Sequence, residues 1–381
     1  MKQKALSNWK WMIFVLIVAG TLAGVWIFYH RIDFSYQMYD SSTTTYVKGK
    51  AVKVLSEELE PAEGNDTRML GVQTLQVEIL EGTQKGQIIQ VENQLSTTHN
   101  IYAKERQILV IKTDMPEGVE PFYSVYNYSR SGGYVLIAVI FCALMILMGR
   151  TKGLKSLLGL GYVLVLLFGF MIPAIYSGWQ PLAATLILTV LAVSVSMILL
   201  NGFSHKTFTA IVSTIAGILL AILVFYLFAG VLKLDGYKAE EAEELLLISQ
   251  NTGLQISQLL FAGTLISSLG ALMDMTMSVA APLYEIKEQK PKISSIELYR
   301  TGIRIGKDLV GTMCETLVLA FAGTAILSLL VFRSYGTTMN QLMNSDYIAI
   351  EVAQSLTGSV AVILAVPVTA FLAGVGWKGK K

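Results

Sequence analysis

The sequence predicts a membrane all-α helical bundle of about eight transmembrane helices, with a small extracytoplasmic β-barrel-like domain inserted after the first helix. Hydrophobic residues make up 53% of the 381 positions, charged residues make up 15%, and the mean hydropathy is +0.56. These values are typical of an integral membrane protein. Apolar runs long enough to cross about 30 Å of hydrocarbon recur along the chain. Residues 30–131 instead show short segments with strand-like alternation.

Eight apolar runs are the candidate membrane spans. They are Trp11–Tyr29, Tyr134–Met148, Ser156–Ile175, Leu182–Leu200, Phe208–Leu232, Ile256–Ala281, Thr312–Phe332 and Ile348–Phe371. The first follows a basic start, as a signal peptide does, but its apolar run is too long for one, so we predict an uncleaved anchor. The domains are then an anchor helix (1–29), a β domain (30–131) and a seven-helix transmembrane domain (132–381).

The distribution of basic residues predicts that both termini lie inside. With this orientation the cytoplasmic segments carry 16 Lys and Arg residues, and the short outer loops carry 3. Basic side chains resist translocation, so this asymmetry sets the topology. We therefore expect a multi-pass protein of the bacterial cytoplasmic membrane, in contact with the lipid bilayer and with residues 30–131 outside.

The outer segment predicts a small β-barrel, with an OB-type barrel as one candidate. Its expected strands are Tyr46–Leu55, Gly71–Leu80, Gln87–Gln94, Gln107–Thr113 and Phe122–Tyr128. Barrels of this kind often bind nucleic acids, but this segment lacks a face dense in Lys, Arg and aromatic residues, and the net charge of the chain is only +2. We predict no nucleic acid partner and favour a docking or gating module.

The chain offers little for metal or cofactor chemistry. It has two cysteines, Cys142 and Cys314, both within apolar runs, and three scattered histidines. Neither a disulfide framework nor a metal cluster is expected. No P-loop motif is present, so we predict no cofactor, and an ATP-driven mechanism would need another subunit.

Carboxylates inside the predicted spans are the candidate functional groups, because a charge at mid-helix costs roughly 2.5–3.5 kcal/mol on insertion scales. Asp274 lies about 17 Å from Glu285 if the sixth span continues as a helix that far. Gly270 and Ser278 lie one turn on either side of Asp274, which gives a small, polar stripe. This spacing places Asp274 near the middle of the membrane.

The seventh span carries Asp308 and Glu315 on one face, with Thr312 between them. The stretch Ser294–Glu297 has the pattern of a capping box, which predicts a helix that begins there and continues into the membrane. We expect Asp308 near the inner interface and Glu315 deeper. A local ion pair of Asp308 with Lys307 or Arg304 is an equally good explanation of that carboxylate.

The eighth span carries a polar seam that includes Glu351 and Ser355. Its hydroxyls alone indicate contact between helices, but with Glu351 the seam favours a water-accessible cavity. Carboxylates on three helices would then form a cation or proton site, or a polar substrate pocket. Helix hinges or interruptions are predicted at four small or cyclic residues, Gly270, Pro282, Gly306 and Pro367.

At these residues the sequence resembles the YibE/F family of bacterial multi-pass membrane proteins. The motifs are SSLGALMDMTMSVAAPLYEI (267–286), IGKDLVGTMCETLVLAFAG (305–323) and EVAQSLTGSVAVILAVPVTAFLAG (351–374), with GTQKGQIIQVENQLS (82–96) in the outer segment. The chain departs from the family pattern at Glu315, where an amide is more common, so Glu315 is weaker as a carried-over site. The resemblance implies a permease-like role without a defined activity, and a homologous membrane partner or a homo-oligomer.

Three classes of function remain open. The spans and their carboxylates favour a component of a transporter or permease. An intramembrane aspartyl protease would use Asp274 and Asp308, but Met273 replaces the Tyr of its Tyr-Asp motif and Ile305 replaces the first Gly of its Gly-x-Gly-Asp motif, so we predict no enzyme. The third class is a receptor or assembly platform whose outer domain binds a peptide or an envelope protein.

Overall fold

The computed structural model describes residues 2–32, 43–62, 67–115, 120–234, 237 and 242–375. Most of these residues are helical. The helices are α1 (Lys2–Arg31), α2 (Ser131–Leu166), α3 (Ile172–Tyr176), α4 (Pro181–Asn201), α5 (His205–Leu232), α6 (Ala242–Thr252), α7 (Leu259–Gln289), α8 (Ser295–Ser334), α9 (Met339–Met343) and α10 (Asp346–Val375). A π-helical segment, Leu167–Met171, joins α2 to α3, and a 3-10 turn, Ile256–Gln258, precedes α7.

Seven helical runs within the described residues are long and apolar enough to cross a membrane. The expected second and third spans fall within one of them, Ser131–Tyr176. Inside this run Arg150 has non-helical backbone angles (φ 47°, ψ −126°). A Cβ atom on Gly153 would lie 2.0 Å from the carbonyl oxygen of Met145, although a straight helix separates residues eight apart by about 12 Å. The chain therefore bends sharply at this point, and the number of spans remains a prediction.

Contacts divide the chain into two compact units, Gln37–Leu144 and a second unit made of Met1–Tyr36 with Met145–Lys381. The first unit contains five strands, β1 (Thr44–Pro61), β2 (Met69–Ile79), β3 (Ile88–Leu95), β4 (Ile108–Asp114) and β5 (Phe122–Tyr128). They form a closed barrel in the order β1-β2-β3-β5-β4, with β3 parallel to β5 and the other pairs antiparallel. The five expected strands are confirmed, and this order agrees with the OB-type candidate.

The barrel is closed around alternate apolar residues of its strands, because successive side chains of a strand point to opposite faces. Its core contains Leu75, Val77, Val91, Leu109 and Ile111, all fully buried. Strand β1 extends to Pro61, beyond its expected end, and its register with β2 shifts at two bulges. These bulges let one long strand curve around the barrel.

Gly71 is required where β2 passes the second half of β1. Its φ of +125° is unfavourable for other residues, and a Cβ atom there would lie 2.0 Å from the carbonyl oxygen of Glu58. We expect Gly71→Ala to destabilise the barrel by at least about 1–3 kcal/mol, because strain and a backbone clash add. Amide hydrogen exchange in β1 and β2 would measure the loss. Gly86→Ala is the control: its φ is +85° with nothing within 4 Å, so a loss as large as that of Gly71→Ala would contradict the steric explanation.

An ion pair on the barrel surface predicts a loss of stability in acid. The Lys112 ammonium lies 2.8 Å from the Asp114 carboxylate, and the Thr44 hydroxyl donates to the same carboxylate at 2.6 Å. These contacts lower the pKa of Asp114 from its ordinary value of 3.8, and the hydrogen bond from Lys112 is a larger cause than that from Thr44. A lowered pKa stabilises the fold above the unfolded value and the benefit is lost as pH falls through the folded value. In an acid titration of barrel unfolding below about pH 4, we expect Lys112→Gln to show a smaller pH-dependent loss than the wild type; an equal loss would contradict this role.

Helix α10 lies at the centre of the helical unit, packed against α5, α7 and α8. Glycines allow these close approaches. A Cβ atom on Gly306 would lie 2.1 Å from a methyl of Val366, and one on Gly302 would lie 2.6 Å from the Ala370 methyl. Between α5 and α7, the hydroxyls of Thr214 and Thr276 are hydrogen bonded at 2.8 Å, as expected of polar contacts that join helices.

Candidate functional site

Asp274 is the middle residue of α7, which runs from Leu259 to Gln289 without a break. It is exposed, as are Gly270 one turn before it and Ser267 two turns before it, whereas Ser278 is partly buried. The opposite face of α7 is packed into the core through residues such as Leu272 and Met275. The expected small, polar stripe is thus present, and within the described part of the chain no helix covers it.

Two contacts fix the register of α7 against α8. The Cβ position of Gly302 contacts Leu283, and that of Gly358, on α10, contacts both Ser268 and Leu317. Leu283 and Gly302 therefore lie at the same height along the two antiparallel helix axes, and so do Ser268 and Leu317. The separation from Ser268 to Leu283 on α7 equals that from Gly302 to Leu317 on α8. Since Asp274 lies between Ser268 and Leu283, it is level with Gly311.

This register places the three carboxylates on neighbouring turns of α7 and α8. Asp308 and Glu315 lie three and four residues from Gly311, or about 4.5 and 6 Å along the helix axis. Both are exposed, like Thr312 between them. We call Asp274, Asp308, Thr312 and Glu315 the acidic seam of α7 and α8. The antiparallel register places Asp274 and Asp308 within about one turn of each other along the helix axes, and their depths in a membrane stay predictions.

The seam carboxylates are unpaired. Over the described ranges, none of Asp274, Asp308 and Glu315 forms a hydrogen bond or an ion pair. The alternative pairing of Asp308 with Lys307 or Arg304 is therefore not observed. In the same ranges no cluster of three or more His, Cys, Asp or Glu side chains could hold a metal ion.

Glu351 lies apart from the seam. The thiol of Cys314 donates to the carbonyl oxygen of Ser359 at 3.6 Å, which makes these two residues level. Glu351 precedes Ser359 by eight residues, so it lies about 12 Å beyond the level of Cys314 and Glu315. One of its oxygens, Oε2, is buried and has no partner among the described residues. The structure therefore does not bring carboxylates of three helices into one site.

The remaining polar residues of α10 make local or packing contacts. The Ser355 hydroxyl donates to the carbonyl oxygen of Val352 at 3.2 Å, and the Ser359 hydroxyl donates to that of Ser355 at 2.9 Å. Gly358 packs against Ser268 of α7. For these residues the structure favours contact between helices over a cavity.

The helices remain continuous at the predicted hinges. Helix α7 passes through Gly270 and Pro282, α8 through Gly306 and α10 through Pro367. No interruption occurs at any of these four residues, and a role as hinges stays a prediction. Pro282 still has one local effect: it has no N–H, so the carbonyl of Ser278 lacks its helical donor one turn from Asp274.

Sequence reasoning missed two features of this region. The π-helical segment Leu167–Met171 lies within the expected third span, where no interruption was predicted, whereas the bend at Arg150 falls in the connection expected between the second and third spans. Gly302 and Gly358 set the register of α7 against α8, which spacing along a single helix does not reveal. Small residues at helical spacing are the signal that marks such close approaches.

The fold defines a multi-helix protein whose apolar helices are suited to a membrane, joined to a small five-stranded barrel. One pair of its helices presents carboxylates that have no partner among the residues the structure describes. The model of the family described as YibE/F-like protein matches residues 137–379, more than half of the chain, and the chain belongs to this family. No curated protein and no solved structure matches it. The barrel lies outside the matched residues.

Proposed function

We propose that the protein is a component of a membrane transporter that moves a cation, or a solute coupled to one, along the acidic seam. The observation that carries this proposal is the position of Asp274: the middle of a long apolar helix, exposed, and without a partner in the described ranges. Ionisable residues within membrane spans commonly mark ion pathways and proton relays.

The chemistry of the seam suits a small cation. Three carboxylates supply negative charge within about 10.5 Å along the helix axes, the Thr312 hydroxyl lies between two of them, and the Ser278 carbonyl without a helical donor lies one turn from Asp274. Oxygen ligands of these kinds bind hard cations, and a carboxylate also accepts a proton. Residues on two helices would have to approach one ion, so the proposal requires α7 and α8 to act together.

The seam also implies that a neighbouring chain covers it. Leaving carboxylates at mid-membrane in contact with lipid costs roughly 2.5–3.5 kcal/mol each on insertion scales, unless water or a partner solvates them. The small residues Ser267 and Gly270 beside Asp274 would allow another helix to approach closely. We propose that the cover is a second copy or a homologous membrane protein, in the bacterial cytoplasmic membrane with both termini inside and the barrel outside.

Flux through purified protein in liposomes tests the proposal. Vesicles with and without protein would be given a proton gradient or a sodium gradient, and uptake of protons, metal ions and small metabolites would be followed. We expect flux that depends on one of the gradients, which would name the coupling ion. If neither the chain alone nor any complex purified with it moves an ion, the transport proposal is overturned.

A second candidate, a receptor or assembly platform, is favoured by a cleft of about 540 Å³ in the barrel, lined by Glu57, Tyr102 and Lys104 among others. The β3–β4 connection that forms one wall is held by buried amides: Gln73 donates to the carbonyl oxygen of Ala103 at 3.2 Å, and Asn93 donates to that of Ile101 at 2.7 Å. Such a supported wall suits a binding surface for a peptide.

Deletion of the barrel separates the two candidates. A variant in which a short linker replaces residues 44–128 would be compared with the wild type for flux and for proteins captured from the envelope. Intact flux with lost capture would indicate a platform built onto a transporter. Loss of a cellular phenotype without any change in flux would favour the receptor.

A further inference from the structure

We propose that a cleft between α1, α4 and α5 binds an anionic phospholipid, with the phosphate beside Lys10 and an acyl chain along the apolar wall. The cleft has a volume of about 630 Å³ and lies away from the acidic seam. The proposal rests on the membrane location proposed above, but it does not require that the protein transports anything.

The walls of the cleft change from polar to apolar along all three helices. Its polar end is formed by Lys10 of α1 and by the Gly202–His205 turn, where α4 ends and α5 begins. Moving away from that end, the lining is mostly aliphatic, with one polar residue, Ser194, on α4; the aliphatic residues are Ile13, Ile17, Leu191, Val195, Ile198 and Ile211. An occupant must therefore be charged or polar at one end and apolar along the rest.

The length of the apolar wall fits an acyl chain of one leaflet. From Gly202 to Leu191 the wall follows α4 for eleven residues, about 16 Å, which is close to half of the roughly 30 Å hydrocarbon thickness. The side of the cleft is open, since Ile17 is 53% exposed and Phe208 is 69% exposed. A lipid can thus enter sideways, whereas a water-soluble ligand would leave the aliphatic wall without a complementary surface.

The charge at the polar end selects an anion. Lys10 is exposed and, over the described ranges, has no acidic partner. Lys155 lies 5.8 Å from the ring centroid of Trp11, and Trp11 makes edge-to-face contacts with Phe14 and Phe203 at 5.6 and 5.5 Å. These rings hold α1 against the α4–α5 turn, and Lys10, the residue before Trp11, lines the cleft. Basic pockets between helices at the cytoplasmic side suit anionic headgroups, and the basic-residue distribution predicts that this end is cytoplasmic.

Lipid binding to the full chain tests the assignment. Delipidated protein in detergent would be titrated with phosphatidylglycerol or phosphatidylcholine, and bound lipid would be counted by native mass spectrometry. We expect one tightly bound phosphatidylglycerol and weaker binding of phosphatidylcholine. Lys10→Gln should weaken phosphatidylglycerol about fivefold, the effect of one lysine near a phosphate, while Lys292→Gln, a basic residue outside the cleft, should leave binding unchanged.

Filling the apolar wall tests the acyl-chain site separately. Ile198→Trp and Ile17→Trp, on different helices, should each abolish the tight binding, and the thermal unfolding midpoint of the lipid-free variants would identify any that fail to fold. Equal binding of the two lipids, or binding that neither Lys10→Gln nor either tryptophan variant changes, would overturn the proposal. These measurements concern lipid binding alone. A failure to detect flux in liposomes would therefore not contradict the lipid site, and a detected flux would not support it.

Discussion

In the Asp274→Asn variant, the gradient-dependent flux is expected to fall by about tenfold or more. Asparagine keeps the size of the side chain but loses the negative charge and the site for a proton. A loss of about 1.4 kcal/mol in ion binding is enough for a tenfold effect, and a charge-assisted contact in a dry site is typically worth that much. The variant should insert and fold normally, because Asp274 has no hydrogen-bonding partner in the described ranges.

The control for Asp274→Asn is Glu285→Gln. Glu285 is an exposed carboxylate on α7, near the end of the helix and about three turns from Asp274. Its replacement removes the same charge from the same helix without touching the seam, so flux should stay near the wild-type value. Equal losses in the two variants would indicate a general effect of charge, and full flux in Asp274→Asn would remove Asp274 from the path.

Gly306→Ala is expected to cause a large loss of stability in the helical unit. The added methyl would lie 2.1 and 2.8 Å from the two methyls of Val366 and 3.0 Å from its Cβ. Valine is stiff at χ1, so α8 and α10 must separate or distort, which typically costs about 1–3 kcal/mol. Thermal unfolding of the purified protein in detergent would show a lower midpoint.

A matched glycine and a double mutant test the steric cause. Gly311 is on the same helix with nothing within 4 Å of its Cβ position, so Gly311→Ala should be neutral or slightly stabilising through helix propensity. Gly306→Ala combined with Val366→Ala should recover part of the loss, because the smaller side chain makes room. If the double mutant shows only the sum of the two single effects, the contact does not set the packing distance.

The local elements were largely predictable because their signals are local. Alternation of Val, Ile and Thr with polar residues indicated the five strands, and Ser294 indicated the start of α8, where its side chain accepts the amide of Glu297 at 3.1 Å. The bend at Arg150 falls between two predicted spans, but its backbone conformation has no comparable signal, since arginine does not favour a positive φ. The closed barrel order also depends on pairings between distant segments, which alternation does not specify.

The candidate site was predictable in its residues but not in its assembly. A carboxylate in an apolar run is visible in the sequence, and this identified Asp274, Asp308, Glu315 and Glu351. Spacing along one helix cannot show which residues of a neighbouring helix lie at the same height along the helix axis. That depends on close contacts such as Gly302 with Leu283, which unite the first three carboxylates and leave Glu351 apart.

The unbroken length of α8 joins its Ser295 end to the acidic seam. Its 40 residues correspond to about 60 Å, roughly twice the hydrocarbon thickness of a bilayer, so a helix of this length in the proposed membrane would extend beyond the hydrocarbon. Helix α8 contacts α10 at Gly302, at Gly306 and again at Cys314. A protein bound to the Ser295 end would therefore shift α8 and α10 together, and the spacing of the seam against α7 would change with them.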